Sequence, residues 1–145
     1  MLATVESSYG CDAELYDRRT AAFQSYRLRI IDALPLRVGD VVLDVGCGTG
    51  LCFEGLRDRV GNSGVVIGID QAPKMASLSA DRIARHGWHN VTIVQAPVET
   101  APIPVMADAA LFCAVHDVLQ SPAALANVFD HLRRSSPWLG DGLGC

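Results

Sequence analysis

The stretch that most constrains this chain is Val41-Val42-Leu43-Asp44-Val45-Gly46-Cys47-Gly48-Thr49-Gly50. An apolar, Val-rich run enters three alternating glycines, and helical spacing resumes at Leu51. Such a run reads as a strand buried on both faces, as in a parallel sheet. Glycines placed directly after it permit positive φ and let a ligand approach the main chain without meeting a Cβ. The amides at the start of the next helix have no intrahelical acceptors and would face that ligand. The stretch therefore predicts a strand–loop–helix unit with a ligand crevice at the carboxyl end of the strand.

The remainder of the chain repeats this alternation. Val65–Ile69, Val91–Val94 and Ala109–Val115 predict three more strands. Helical spacing covers Arg18 to Leu34, Leu51 to Val60, Pro73 to His86 and Pro122 to Leu132. Pro73 and Pro122 fall where the first turn of a helix accepts proline, and Ser121 is placed to cap the last helix. Pro35 and Gly39 separate the first helix from the first strand, and Thr100 to Pro104 reads as a loop. Strands and helices joined by short connections predict an α/β domain with right-handed crossovers. The expected architecture is a Rossmann-like parallel sheet of order 3-2-1-4 with helices on both faces.

Composition narrows the function classes. A chain of 145 residues, 50% hydrophobic and 19% charged, supports one packed domain. The net charge of −4 and the scattered basic groups (Arg18-Arg19, Arg27/Arg29, Arg133-Arg134) argue against a nucleic-acid partner. Those arginines read as solvated helix faces. No apolar run approaches the ~18–20 residues that span a bilayer, and no basic segment with an apolar core opens the chain. The expectation is a cytoplasmic protein without stable membrane insertion. Cys11, Cys47, Cys52, Cys113 and Cys145 show no zinc or redox spacing, so they read as reduced thiols and no metal site is expected.

Asp70 adds weight to the glycine loop. It ends the second predicted strand, twenty positions after Gly50. In doubly wound domains an acid there accepts hydrogen bonds from the ribose hydroxyls of a bound nucleoside; its other reading is a cap for the next helix. The loop reads Gly-x-Gly-x-Gly, whereas dinucleotide sites prefer Gly-x-Gly-x-x-Gly. Asp44, two residues before the first glycine, would repel a pyrophosphate. It suits a ligand carrying an ammonium and a sulfonium, which moves the reading away from NAD and towards S-adenosylmethionine.

Leu43-Asp44-Val45-Gly46-Cys47-Gly48-Thr49-Gly50 resembles motif I of the class I S-adenosylmethionine-dependent methyltransferases, and Gly68-Ile69-Asp70 resembles their second motif. The pattern is similar to the quinone-biosynthesis and phospholipid N-methyltransferase groups and covers about Tyr16 to Arg133. The resemblance implies S-adenosylmethionine as cofactor and a small-molecule or lipid acceptor. It also implies that Gly46, Cys47, Gly48 and Gly50 lie along the methionine portion, with Asp44 at the amino end. Asp70 would grip the ribose and Gln71 would lie beside the adenine. Relatives often place an Asp after the third strand for the adenine amino group. Here Ala96-Pro97-Val98-Glu99 puts a proline at that position, leaving the adenine to the Val98 backbone, apolar packing and Glu99. Losing one such hydrogen bond costs about 0.5–1.5 kcal/mol, which binding can survive.

The fourth strand delivers His116-Asp117 to the sheet edge where ligands collect in open α/β folds. His116 there can take a proton from a hydroxyl or ammonium nucleophile, or it can be a loop histidine bonded to backbone. Tyr16 resembles a cofactor lid in relatives and equally suits helix packing.

Residues 1–133 read as the cofactor-binding domain and 134–145 as an irregular tail, Arg134-Ser135-Ser136-Pro137-Trp138-Leu139-Gly140-Asp141-Gly142-Leu143-Gly144-Cys145, with neither strand nor helix period. The usual C-terminal strands are thus expected to be missing, as after truncation or a reading-frame change. Strand four would then form an exposed apolar edge that a homo-oligomer covers. The expected function is methyl transfer to a small molecule or lipid. The alternative is a truncated nucleoside-binding or assembly module with little or no turnover.

Overall fold

The computed structural model describes residues 24–113, 115–133 and 138–140. In chain order the elements are α1 (Gln24–Ala33), β1 (Val41–Val45), α2 (Phe53–Val60), β2 (Val65–Asp70), α3 (Pro73–His86) and β3 (Val91–Gln95). A single 3-10 turn, Val98–Thr100, follows, then β4 (Ala109–Phe112), α4 (His116–Leu119), α5 (Pro122–Asp130) and β5 (Trp138–Gly140). The strands form one sheet in the order β3-β2-β1-β4-β5, and every pair is parallel. The expected 3-2-1-4 order is present.

Alternation along each strand divides the apolar residues between two cores. Val42, Val66, Ala109 and Leu111 face Ile30, Ile31, Phe53 and Leu56, so α1 and α2 cover that side. Leu43, Val45, Ile67, Ile69, Ala110 and Phe112 face Val115, Ala124 and Val128 on the side of α4 and α5. Each large side chain buried this way stabilises by about 1.5–3 kcal/mol, and only a sheet covered on both faces lets neighbouring residues of one strand all do so. The local signals hold as well. Pro73 and Pro122 lie in the first turns of α3 and α5, and the Ser121 hydroxyl accepts from the Ala124 amide at 3.2 Å.

The amino end of the sheet is locked by Asn90. Its side-chain amide donates to the Gly61 and Gly64 carbonyls, both at 3.0 Å, while its oxygen accepts from Arg57 Nε at 2.8 Å. These bonds join the α2–β2 turn to the entry of β3.

Two expectations about the tail are corrected. The chain after α5 is bridged to the entry of β4: the Ala107 amide donates to the His131 carbonyl at 2.7 Å, and the Arg133 amide donates to the Ala107 carbonyl at 2.9 Å. Arg133 also pairs with Asp108 at 3.0 Å. From that anchor Trp138, Leu139 and Gly140 pair with Ala110, Leu111 and Phe112. A fifth strand is therefore present, and β4 is not the sheet edge. Three residues are too few for alternation to be legible, and the register is set by the bridge at Ala107. An oligomer formed to cover the β4 edge loses its physical reason.

Candidate functional site

The glycine loop is tied to the end of β2. The amides of Gly46 and Cys47 both donate to the Ile69 carbonyl, at 2.8 and 3.0 Å. Gly46 has φ +68°, and a Cβ built there would lie 2.3 Å from Val115 Cγ1, so packing and backbone both require glycine. Gly48 has φ +56°, yet a Cβ there would meet nothing within 4 Å. It is the loop residue that opens on free space, while Gly50 makes room for the Phe53 ring. From behind, α3 holds the loop carbonyls: the Ser79 hydroxyl donates to Gly48 O, and Arg82 Nε donates to Thr49 O at 2.8 Å.

Asp70, at the end of β2, takes the capping role, one of the two readings of its position. Oδ1 accepts from the Ala72 amide at 2.9 Å, capping the entry to α3, and Oδ2 accepts from the Gly48 amide at 2.9 Å. A carboxylate has about four acceptor positions, so each oxygen can still take a ligand hydroxyl. Burial raises its pKa, the Ala72 and Gly48 amides oppose that rise, and the Asp117 charge adds to it. Gln71 is exposed beside it.

The far wall follows β3. The Val98 carbonyl is taken by Asn127 Nδ2 at 2.7 Å, which leaves the Val98 amide as its backbone group for a ligand. Glu99 is held at the rim, accepting from the Ser121 hydroxyl at 3.3 Å. Pro97 precedes the 3-10 turn without capping it.

Asp44 lies buried near the end of β1, just before the glycine loop. It is 2% exposed, and its Oδ2 has no hydrogen-bond partner. Its pKa is pushed up to about 8, by burial first and then by Cys113 and Asp70. An unpaired carboxylate is costly to bury, so the unliganded chain keeps it protonated at neutral pH. Being two residues from Val42, it lies on the α1/α2 side of the sheet. A cation delivered to Oδ2 would relieve the strain of ionising it.

The thiols are packing groups. Cys47 turns its sulfur to the core, 3.9 Å from Ser79 Oγ, and its amide and carbonyl serve the loop itself. Burial, with Asp44 and Asp70, raises its pKa well above the usual thiol range. Cys52 is raised too, by a hydrogen bond with Cys113 first and then by burial. None of the described Cys47, Cys52 and Cys113 forms a disulfide.

His116 opens α4, immediately beyond β4 at the carboxyl edge of the sheet, where the sequence reading puts it. Tyr16 lies outside the described residues. Three residues escape that reading. Ser79 and Arg82 reach the loop from more than thirty positions away, and only the break that Ser79 makes in the apolar Met75-Ala76 face of α3 hints at it. Arg27, taken as solvated, is buried, whereas Arg29 is exposed; this corrects the reading of that pair.

A family model described as "Methyltransferase domain" matches residues 42–135. Aklanonic acid methyltransferase DauC of Streptomyces sp. (strain C5) is 28% identical over 134 residues, 88% of this chain and 60% of that protein. Nocamycin O-methyltransferase of Saccharothrix syringae is 35% identical over 82 residues, 56% of this chain and 29% of that protein. The chain thus spans 60% or less of the length of these relatives. A SAM dependent methyltransferase structure from Aquifex aeolicus superposes with a TM-score of 0.70 at 21% identity, covering 84% of this chain and 65% of that one, and so shares its fold. Among the described residues no helix is long and apolar enough to cross a membrane.

Proposed function

The chain belongs to the methyltransferase domain family, and from that premise we propose that it binds S-adenosylmethionine and transfers its methyl group to a small organic molecule. The observation that carries this reading is the unpartnered Oδ2 of the buried Asp44, on the strand that leads into a glycine loop whose Gly48 faces open space. The fit is chemical. An ammonium satisfies the buried carboxylate, whereas a pyrophosphate at that point would meet a like charge. Asp70 takes the ribose hydroxyls with its remaining lone pairs, and Gly46, Cys47, Gly48 and Gly50 pass along the methionine portion. Gln71, the Val98 amide and Glu99 border the adenine.

When bound, S-adenosylmethionine supplies a methyl group on a sulfonium, an electrophile that needs no further activation. The chain's own task is then alignment, exclusion of water and proton removal. Ser79 and Arg82 keep the loop carbonyls turned to α3. His116 takes the proton from an acceptor hydroxyl at the mouth of the crevice. The similarity to nocamycin O-methyltransferase favours an oxygen nucleophile, and that to aklanonic acid methyltransferase a small molecule over a lipid.

Calorimetric titration with S-adenosylhomocysteine and with NAD in parallel tests the cofactor. Binding of the first alone is expected; binding of NAD alone, or of neither, overturns the reading. For His116, the variant His116→Ala should lower kcat while leaving the S-adenosylhomocysteine affinity unchanged.

A further inference from the structure

We propose that Cys52 and Cys113 form a reversible oxidation site, a dithiol that a peroxide converts to a disulfide joining the head of α2 to the end of β4. The bridge displaces the glycine loop, so oxidation lowers affinity for the ligand. The bridge stands on the geometry of the two thiols; its effect on binding also rests on the cofactor reading.

The two cysteines lie far apart in the sequence, and strand alternation brings them together. Leu111 goes to the α1/α2 core and Phe112 to the opposite one. Cys113, two residues beyond Leu111, returns to the first side and packs against that core. Cys52 approaches from the glycine loop. Its carbonyl accepts from the Leu56 amide at 3.0 Å as the first turn of α2 begins. Its side chain is buried in the same core, and its thiol is hydrogen-bonded to that of Cys113. Cys47 is placed differently, with its sulfur 3.9 Å from Ser79 Oγ on α3.

In the reduced protein the two thiols only pack, and their unequal burial orders the chemistry. Cys113 is half-buried while Cys52 is sealed, so hydrogen peroxide meets Cys113 first. The Cys113 sulfur attacks one peroxide oxygen, the O–O bond breaks, and the departing hydroxide takes the thiol proton as water. The Cys52 sulfur then attacks the Cys113 sulfenic acid. The S–S bond forms, the S–O bond breaks, and hydroxide leaves with the Cys52 proton as a second water. Two thiols and one peroxide give one disulfide and two waters. The hydrogen bond to Cys113 and burial keep Cys52 protonated, which protects it from an outside oxidant. Contact with Cys113 offsets this in the second step by a high effective concentration.

Closing the bond draws the head of α2 towards β4, and the packing leaves no slack. Phe53, next to Cys52, is fully buried. A Cβ on Gly50 would lie 2.5 Å from its ring, and one on Gly68 2.8 Å from it. A shift of the helix head is therefore passed to the glycine loop.

The test treats the reduced chain with hydrogen peroxide, blocks remaining thiols with N-ethylmaleimide and maps the peptides by mass spectrometry. A Cys52–Cys113 linked peptide is expected, and dithiothreitol should cleave it. By calorimetry the oxidised chain should bind S-adenosylhomocysteine about tenfold or more weaker, with dithiothreitol restoring the affinity. Cys113→Ser and Cys52→Ala should each bind as the reduced wild type does, before and after peroxide. If one variant does not fold, the other carries the comparison, and the wild-type peptide map needs neither. Peroxide-treated wild type in which the two stay thiols, pair with other cysteines or stop at sulfinic acid overturns the proposal. So does a mapped bridge with unchanged affinity. Failure of the cofactor reading looks different, since the reduced wild type would then bind no S-adenosylhomocysteine while the bridge still maps.

Discussion

Replacing Asp44 with Asn should stabilise this protein at neutral pH while weakening its cofactor site. In the folded chain the Asp44 carboxyl titrates at about 8, against 3.8 for a free side chain. The unfolded chain therefore releases this proton at a pH where the folded chain still holds it. Stability from this group is highest below pH 4, falls as pH rises and levels off above about 8. Each pH unit in that window removes about 1.4 kcal/mol. At pH 5 the loss is about 2 kcal/mol and at pH 7 about 4 kcal/mol, a large share of the roughly 5–15 kcal/mol of a typical domain. Asn has no proton to lose. Urea unfolding of both proteins at pH 5 and pH 7 isolates the effect, because other titrating groups are common to both and cancel. Asp44→Asn should gain about 2–3 kcal/mol on wild type between those two pH values. A difference that stays constant across the range would refute the assignment of a raised carboxyl to Asp44.

Three further outcomes follow from the same geometry. S-Adenosylhomocysteine affinity should rise by up to about tenfold per pH unit between 6 and 8, as binding expels the Asp44 proton; calorimetry in buffers of different ionisation enthalpy should detect that release in wild type and not in Asp44→Asn. Gly48→Ala should cost about 1–2 kcal/mol of stability through its positive φ and, with its Cβ in the open crevice, weaken S-adenosylhomocysteine more than tenfold by the same titration. Asn90→Ala should lower stability by about 2–4 kcal/mol in urea unfolding, because Arg57 and the Gly61 and Gly64 carbonyls all lose a partner; cofactor affinity well below the melting temperature should not change.

What is legible in the sequence is whatever short-range pattern decides. The Val- and Ile-rich runs, the glycine loop, Asp70 twenty positions on and the Ser121 cap all depend on neighbours within a few residues, and each stands where expected. What escapes is set by distant covering groups. Arg27 and Arg29 look like one solvated pair, yet residues two apart point about 200° apart around a helix, so one can be buried while the other stays in water. Asp44 is recognisable as an acid just before the glycine loop, but its protonated state depends on how fully α1 and α2 cover it. Strand β5 depends on a bridge at Ala107 and carries no period of its own.

These features also explain why the ligand's charged end should enter from one side only. Period two along β1 sends Asp44 towards α1 and α2, while Leu43 and Val45 go to the opposite core. The α1/α2 side therefore gathers Asp44, Arg27 and the thiols of Cys52 and Cys113. Helix α4, which carries His116, lies across the sheet with Val118 and Leu119 packed on the other core. A ligand spanning the glycine loop would have its ammonium beside Asp44 and its reactive centre near α4. The sheet thus separates binding charge from reacting atom, and the two should respond to mutation independently. Changes at Asp44 should alter cofactor affinity while leaving the pH dependence of kcat at saturation unchanged, whereas changes at His116 should do the reverse. A kcat profile at saturation for Asp44→Asn displaced along the pH axis would show the two ends to be coupled and would overturn that separation.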